Sequence, residues 1–452
     1  DRRRYTTVLD PESGQMEVDN LNDVNREYNR LDEHIGSAGV NYTHDFRSWA
    51  IPVTLKAGGY GQYRSRVYNT RYFLYSWPGG LPVEYRTMDV PTELMRDENY
   101  GADKLYLVEQ VDWRNNYKGN DLTGAAYVGG NFTFGRFNAY AGVRYEYYRM
   151  NLTSNTRKAE ESPEDNIYNY NDLFPSVNMA YRFDDRHVLR LYYGRSVNRP
   201  EFRELSTSVY YDFDLASNIQ GNYDLRPAYI DNIDLGYSFY PSSGELLSVS
   251  LFYKHFRDPI EWTYTVAGGT DLIYSYLNAK GADNYGVEVD IRKSLDFIGL
   301  PDFSLNVNGA LIHSRVKFEP GSKEHDRPMQ GQSPYLVNAG LFYRNERAGV
   351  SASLMYNCIG KRIVGVGRKV GYEGMEVKVP DSYEMPRNTI DLNVTKTLGD
   401  FELRFGVRDL LAEKASFIQY ENTPAGKIKQ VNRQYRPGRT FNLSFTYKFT
   451  AK

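Results

Sequence analysis

The chain has 452 residues, 55 basic against 57 acidic for a net charge of −2, and one cysteine, Cys358. Tyr 41, Phe 22 and Trp 4 make it 15 % aromatic, while mean hydropathy is −0.62. These figures exclude a disulfide scaffold and a Cys-ligated zinc site, provide no basic excess for a nucleic-acid partner, and leave no apolar run of the ~18 residues a membrane-spanning helix needs. What remains is the composition of a transmembrane β-barrel, where only alternate strand residues face lipid and the lumen is polar. The chain starts at Asp1 with neither Met nor an apolar leader, which reads as a processed protein or a piece of a longer one.

Strand side chains switch face at every residue, so alternation is the test. A short strand is possible at 2–9, and two strands are predicted near 36–46 and 51–70. The Tyr-, Pro- and Gly-rich stretch 72–120 reads as a large loop, with 103–113 as an optional strand. From there the alternation is clear. In 136–150, Phe137, Ala139, Ala141, Val143, Tyr145 and Tyr147 oppose Asn138, Tyr140, Gly142, Arg144, Glu146 and Tyr148. Residues 232–240, 247–254, 285–292, 401–408 and 441–449 repeat the pattern. The pairs Gly58-Gly59 and Gly129-Gly130 read as bends or close approaches in a wall, not phosphate loops.

A soluble sandwich also alternates; the connections separate the two. Short turns are predicted near Gly135, 184–186, 241–245, 297–302, 345–347 and 399–400. Long loops are predicted at 151–172, 197–227, 257–283, 318–333, 359–386 and 411–439. That regular switch is the pattern of outer-membrane barrels, with tight periplasmic turns and long extracellular loops. It places the C-terminus on the periplasmic side. Hairpin counting gives about 13 strands from residue 121 onward and about 16 in all.

Several segments resemble the C-terminal barrel of TonB-dependent outer-membrane transporters of the Bacteroidota, SusC-like type. The most specific is Arg195-Ser196-Val197-Asn198-Arg199-Pro200-Glu201-Phe202-Arg203-Glu204-Leu205. Leu225-Arg226-Pro227-Ala228-Tyr229 and Asn232 to Tyr237 follow, departing at Ala228, where the family carries an acidic residue. Asn284 to Glu288, Pro386-Arg387-Asn388, Val407 to Leu411, and Pro437 through Phe449 also match; Thr450-Ala451-Lys452 after the final aromatic are a small departure. The resemblance implies a barrel of about 22 strands, an N-terminal plug inside it, and TonB as the energising partner. Residues 1–452 are therefore read as a single barrel domain, the C-terminal part of a longer protein with the plug absent from this chain. The alternative is a self-contained barrel of about 16 strands, the size class that leaves an aqueous channel.

Candidate residues fall in two groups. Arg144, Glu146, Arg190, Glu288, Asp290, Arg292, Arg404 and Arg408 lie on the polar face and are candidates to line the lumen; ordinary cross-strand pairing is the plainer account. Trp77, Tyr210, Tyr211, Trp262, Tyr264, Tyr274 and Tyr276 lie in loops, where rings stack on ligands; an interfacial aromatic girdle is the plainer account. His34, His44, His187, His255, His313 and His325 have no metal-ligand spacing. The run Glu160-Glu161-Ser162-Pro163-Glu164-Asp165 lacks the order of a calcium loop. No nucleophile–base–acid set is found, so neither enzyme activity, cofactor nor metal is expected. The expectation is nutrient import (siderophore, glycan or peptide), with lipids, plug and TonB as partners and a surface lipoprotein as a lid. The alternatives are a scaffold or accessory subunit of an outer-membrane complex, or a passive porin.

Overall fold

A computed structural model describes all residues except 1, 5–6, 10–13, 15, 19–24, 47–51, 83–84, 86–90, 213–216, 269–270, 371–376, 424–425 and 450–452. Parts of the strand expected at 2–9, and the terminal Thr450-Ala451-Lys452, lie outside the described residues. The dominant unit is a 17-stranded sheet. Its long members are β1 (Asn25–Phe46), β2 (Val53–Ser76), β3 (Tyr117–Phe134), β4 (Phe137–Asn155), β5 (Pro163–Arg182), β6 (His187–Asn198), β7 (Ala228–Phe239) and β8 (Leu246–Arg257). They continue as β9 (Gly281–Leu295), β10 (Leu300–Lys317), β11 (Tyr335–Asn345), β12 (Val350–Ile359), β13 (Arg387–Leu398), β14 (Phe401–Arg408) and β15 (Thr440–Tyr447). Each pairs antiparallel with the next in the chain. Short strands Arg2–Arg4 and Tyr106–Gln110 add to β1 and β2. The fold is the antiparallel, nearly all-β wall that alternation predicted.

Register turns the alternation into two surfaces. Leu191, Leu235, Leu251, Val287 and Leu311 are successive cross-strand partners from β6 to β10. Leu191, Leu235, Leu251 and Leu311 are exposed, so this row forms an apolar belt. One residue along, Arg190, Gly236, Ser250, Glu288 and Ala310 form a polar row on the opposite face. Another polar row runs Ser238, Ser248, Asp290, Asn308, Asn338, Asn357. Within it Asn357 Nδ2 donates to Asn338 Oδ1 at 2.6 Å, and Asn338 Nδ2 to Asn308 Oδ1 at 3.3 Å.

The glycines of the wall are close approaches. A Cβ on Gly129 would lie 2.5 Å from the Tyr140 hydroxyl, and one on Gly142 2.6 Å from it. Tyr140 therefore lies flat over a glycine pair that is itself in register, Gly129 against Gly142. Gly58 is covered in the same way by Tyr127, 2.5 Å from where a Cβ would sit. Aromatic rings laid over strand glycines restore the packing that the glycines lack.

The structure corrects several boundaries. β1 begins at Asn25 and β2 runs to Ser76. The stretch 151–172, expected as a loop, is mostly strand, with β4 reaching Asn155 and β5 starting at Pro163. The 24 residues of β2 extend ~80 Å at ~3.3 Å per residue, well beyond the ~9–11 residues of one bilayer crossing. Above the belt both faces are wet, so hydrophobic alternation fades while backbone pairing continues.

The other long connections carry structure of their own. The hairpin Val209–Asp212 with Ser217–Gln220 joins the hairpin Ile260–Gly268 with Asp271–Asn278 in one four-stranded sheet. Segments Arg362–Gly365, Ser382–Glu384, Ala415–Thr423 and Gly426–Tyr435 make another. The connections between wall strands thus form a folded tier at one end of the wall.

The two-surface assignment has a direct test. Leu251→Lys should destabilise the folded protein by about 2–4 kcal/mol, as a cation at the lipid midplane does. Ser250→Lys, one residue away on the polar face, should cost much less. Urea unfolding in detergent or lipid measures both.

Candidate functional site

The most specific motif of the sequence forms a knot against the wall. β6 ends at Asn198, and Pro200 cannot donate to a continued ladder. The chain then makes one helical turn, Phe202–Leu205, where the Glu204 carboxylate accepts the Glu201 backbone N–H at 2.9 Å. Phe202 is fully buried. It fits because position 119 on β3 has no side chain: a Cβ there would lie 2.4 Å from the Phe202 ring. The Arg64 and Arg66 guanidinium carbons lie 4.6 and 5.4 Å from the Phe202 ring centroid, favourable cation–π placements.

Charged pairs surround this aromatic centre. Arg64 donates to Asp121 at 2.6 Å and to Glu201 at 3.1 Å. Arg199 binds both Glu146 on β4 and Asp172 on β5, the latter at 2.9 Å, and stacks 4.5 Å over Tyr148. Tyr229 donates to the other oxygen of Asp172 at 2.6 Å. Each buried charge has an opposite charge and hydrogen bonds, the condition under which buried ions are tolerated. Leu205 and Leu225 complete the core with Tyr68, Tyr117, Tyr148, Met150, Leu152, Ile219 and Tyr276. Two segments of the resemblance, 195–205 and 225–229, thus meet in one cluster.

The candidates on the polar face fall as follows. Arg144 and Glu146 bond each other at 2.7 Å, and Glu146 belongs to the knot. Arg190 donates to Ser238 Oγ at 3.0 Å. Asp290 and Arg292 pair at 3.6 Å, and Arg404 pairs with Glu402 at 3.1 Å. Glu288 sits between Ser250 and Ala310, and Arg408 is exposed opposite Thr440. They share a face but spread across it, and only Arg144 and Glu146 are brought together with the knot.

Five of the seven loop aromatics converge. Tyr210 stacks on Arg203 at 3.9 Å. Trp262 contacts Tyr276 at 4.8 Å and Tyr274 at 5.9 Å, and Tyr274 contacts Tyr264 at 5.6 Å. Tyr264 and Tyr276 are buried, in contact with the other rings. Trp77 lies apart, 5.0 Å from Tyr85, against the cluster of Tyr75, Leu81, Leu94 and Leu105. Tyr211 lines a separate cleft of about 280 Å³ with Glu27, Tyr72, Asp112 and Asn115.

Sequence reading missed a buried ion cluster in the tier. Arg327 donates to Glu261 at 3.2 Å and to the Trp262 carbonyl at 3.1 Å. Arg327 also lies 3.7 Å from Glu324, which in turn lies 3.5 Å from Arg368. Thr263 donates to Glu324 at 2.7 Å and receives from Arg368 at 3.0 Å. This cluster ties the connections 257–283, 318–333 and 359–386 together. Its members lie far apart in sequence, Arg327 and Glu261 by 66 positions, so no local spacing announces it. Burial pushes the Glu261 carboxyl up to about 7, against the opposing pull of Arg327.

Two outcomes test this geometry. Phe202→Ala should cost about 3–5 kcal/mol, as emptying a buried aromatic site does, and Gly119→Leu should release the same segment by displacing the ring. Proteolytic nicking within 199–227 reports both. For Glu261, the folded state holds its proton above the ordinary carboxylate value of 4.5. The stability it contributes is therefore fully present below about 4.5 and declines as pH rises toward about 7. The difference in thermal midpoint between the wild type and Glu261→Gln should drift across that window and level off above it.

Comparison with known proteins places this architecture. Residues 95–447 match the model of the outer membrane protein beta-barrel family. Among solved structures, the ferric citrate transporter FecA in its unliganded form superposes with a TM-score of 0.62 at 11 % identity, covering 95 % of this chain and 56 % of that one. The ferric-catecholate import receptor Fiu from K12 E. coli gives 0.60 at 14 % identity, covering 93 % and 55 %. The copper transporter OprC gives 0.59 at 14 % identity, covering 94 % and 58 %. This chain spans little more than half the length of these structures, and identity at that level establishes the shared fold. No curated protein matches the chain. With the match running over most of its residues, the chain belongs to the outer membrane protein beta-barrel family.

Proposed function

We propose that the protein is part of a TonB-dependent transporter of the SusC-like type, importing a nutrient through a plugged barrel. The observation that carries this is the pairing of a polar wall face with a folded tier of loops. The wall presents Arg144, Glu146, Arg190, Glu288, Asp290, Arg292, Arg404 and Arg408 on its polar side. In this reading that side is the lumen, and its mixed charges hold the plug and set permeability. The tier is extracellular and captures ligand, and the C-terminus is periplasmic. The roles of the structural neighbours, import of ferric chelates and copper transport, support solute uptake as the task.

The chain does no chemistry on its cargo in this account. Aromatic rings of the tier, Tyr211 and Trp77 foremost, contact the solute. Tyr264 and Tyr276 hold the tier in shape from inside, and Tyr210, Trp262 and Tyr274, packed against them, meet ligand at its surface. The plug and TonB supply gating and energy, a surface lipoprotein closes the tier from outside, and lipids surround the belt.

Deleting the gene should abolish uptake of one solute class, and collapsing the inner-membrane proton gradient should have the same effect in the parent strain. Uptake that survives the collapse would mark a passive porin. Unchanged uptake in the deletion strain across a broad solute panel would mark a scaffold.

A further inference from the structure

The last strand of the second tier sheet, Gly426–Tyr435, is bonded along one side. It pairs antiparallel with Ala415–Thr423, from Tyr435 opposite Ala415 to Gly426 opposite Thr423. It ends the order of that sheet, and no described strand lies along its other edge. All ten of its residues are exposed. Such an edge presents a row of N–H and C=O groups, a template for one more strand, and native proteins usually keep their edges very short. This one extends ~33 Å at ~3.3 Å per residue. Its register shift falls between Phe417 and Ile418, so Gly426 to Val431 run in plain register.

The side chains follow a pattern. From Gly426 to Thr440 the sequence carries Lys427, Lys429, Arg433, Arg436 and Arg439 and no acidic residue. Lys427 lies 4.5 Å from the Tyr420 ring centroid and Arg433 4.1 Å from that of Phe417. Arg439 donates to the Leu410 carbonyl at 2.7 Å. Lys429 and Arg436 form no ion pair among the described residues. The one carboxylate on the neighbouring strand, Glu421, accepts from Gln430. Interleaved with the cations are Ile428, Val431 and Tyr435, each about half exposed. Successive strand residues switch face, so Lys427 and Lys429 share one face and Ile428 and Gln430 the other.

Lysine on an edge is one way proteins keep strands from joining. Here the lysines stand beside exposed apolar side chains, so the edge repels strands of its own charge and no others. That disfavours a second copy of this chain, because antiparallel pairing would bring cations against cations. A lipid or polysaccharide anion would meet the cations and leave the backbone row unused. An acidic extended peptide answers both. Its main chain continues the ladder, its carboxylates meet Lys427 and Lys429 on one face, and its alternate side chains cover Ile428 on the other.

We propose that the Gly426–Tyr435 edge binds an acidic extended segment of a partner protein by strand addition. The proposal is independent of the uptake reading. The test is fluorescence anisotropy of the full-length protein in detergent with three labelled decapeptides. The first alternates Glu with Val and Thr. The second carries Lys in place of every Glu. The third is the first N-methylated at four consecutive central residues, which removes ladder N–H groups in either register. The acidic peptide should bind and should protect the amides of 426–435 from hydrogen exchange. The other two should bind at least about tenfold more weakly. The double variant Lys427→Glu/Lys429→Glu should weaken the acidic peptide by about tenfold, the combined worth of two reversed surface charges. Lys427→Arg/Lys429→Arg should bind it as the wild type does, and urea unfolding of both variants should keep the wild-type midpoint. No binding of the acidic peptide would overturn the proposal, as would equal binding of the acidic and Lys peptides. Binding indifferent to N-methylation would overturn it in favour of a plain electrostatic patch. Self-association of the unliganded protein in sedimentation, abolished by the Glu double variant, would overturn it in favour of a second copy.

Discussion

Hydrocarbon offers a peptide group no hydrogen-bond partner except another peptide group, and each one left unpaired costs several kcal/mol. The wall is the response to that constraint. Strand pairs antiparallel with strand from β1 to β15, and side chains are then forced onto two faces. The apolar row through Leu251 and the polar row through Ser250 are separated by one residue and by the whole thickness of the sheet. β1 and β15 feel the same constraint at the ends of this sequence. Their alternate apolar residues, Val40 and Tyr42 on one and Phe441, Leu443 and Phe445 on the other, are exposed.

Beyond the bilayer the constraint relaxes, and different forces take over. The strands continue because pairing remains favourable, but the side chains that hold the outer tier are charged and aromatic. Arg199 joins β4 and β5 through Glu146 and Asp172. Phe202 is trapped between two arginines and a glycine, and Arg327 with Arg368 ties three connections through Glu261 and Glu324. Removing one partner from such a cluster strands the other charge away from water, a larger loss than the pair's own net worth. The tier is thus bound to the wall by interactions that fail together, while a cleft at its side keeps Asn115 Oδ1 buried without a donor.

Tyrosine abundance resolves in part into three uses that are not a girdle. Tyr127 and Tyr140 lie on the polar face over Gly58, Gly129 and Gly142, filling space the glycines leave. Tyr68, Tyr117 and Tyr148 build the knot. Tyr72 and Tyr211 face the cleft. A count of 41 tyrosines cannot apportion these roles, because the same residue type serves each and only the neighbour differs.

The sequence by itself determined the wall: period-two alternation, the turns, and the order of strands from residue 121 onward all follow from local pattern, since side-chain direction in a strand depends only on parity. It also marked Arg199 to Leu205 as special. It did not show where strands end above the membrane, because alternation vanishes once both faces are wet, and so 151–172 read as loop. Nor could it assemble the partners of Glu261, or place Glu27, Asn115 and Tyr211 around one cavity. Those groupings depend on how connections fold back over the wall, and contacts between residues far apart in sequence leave no periodic trace in the chain.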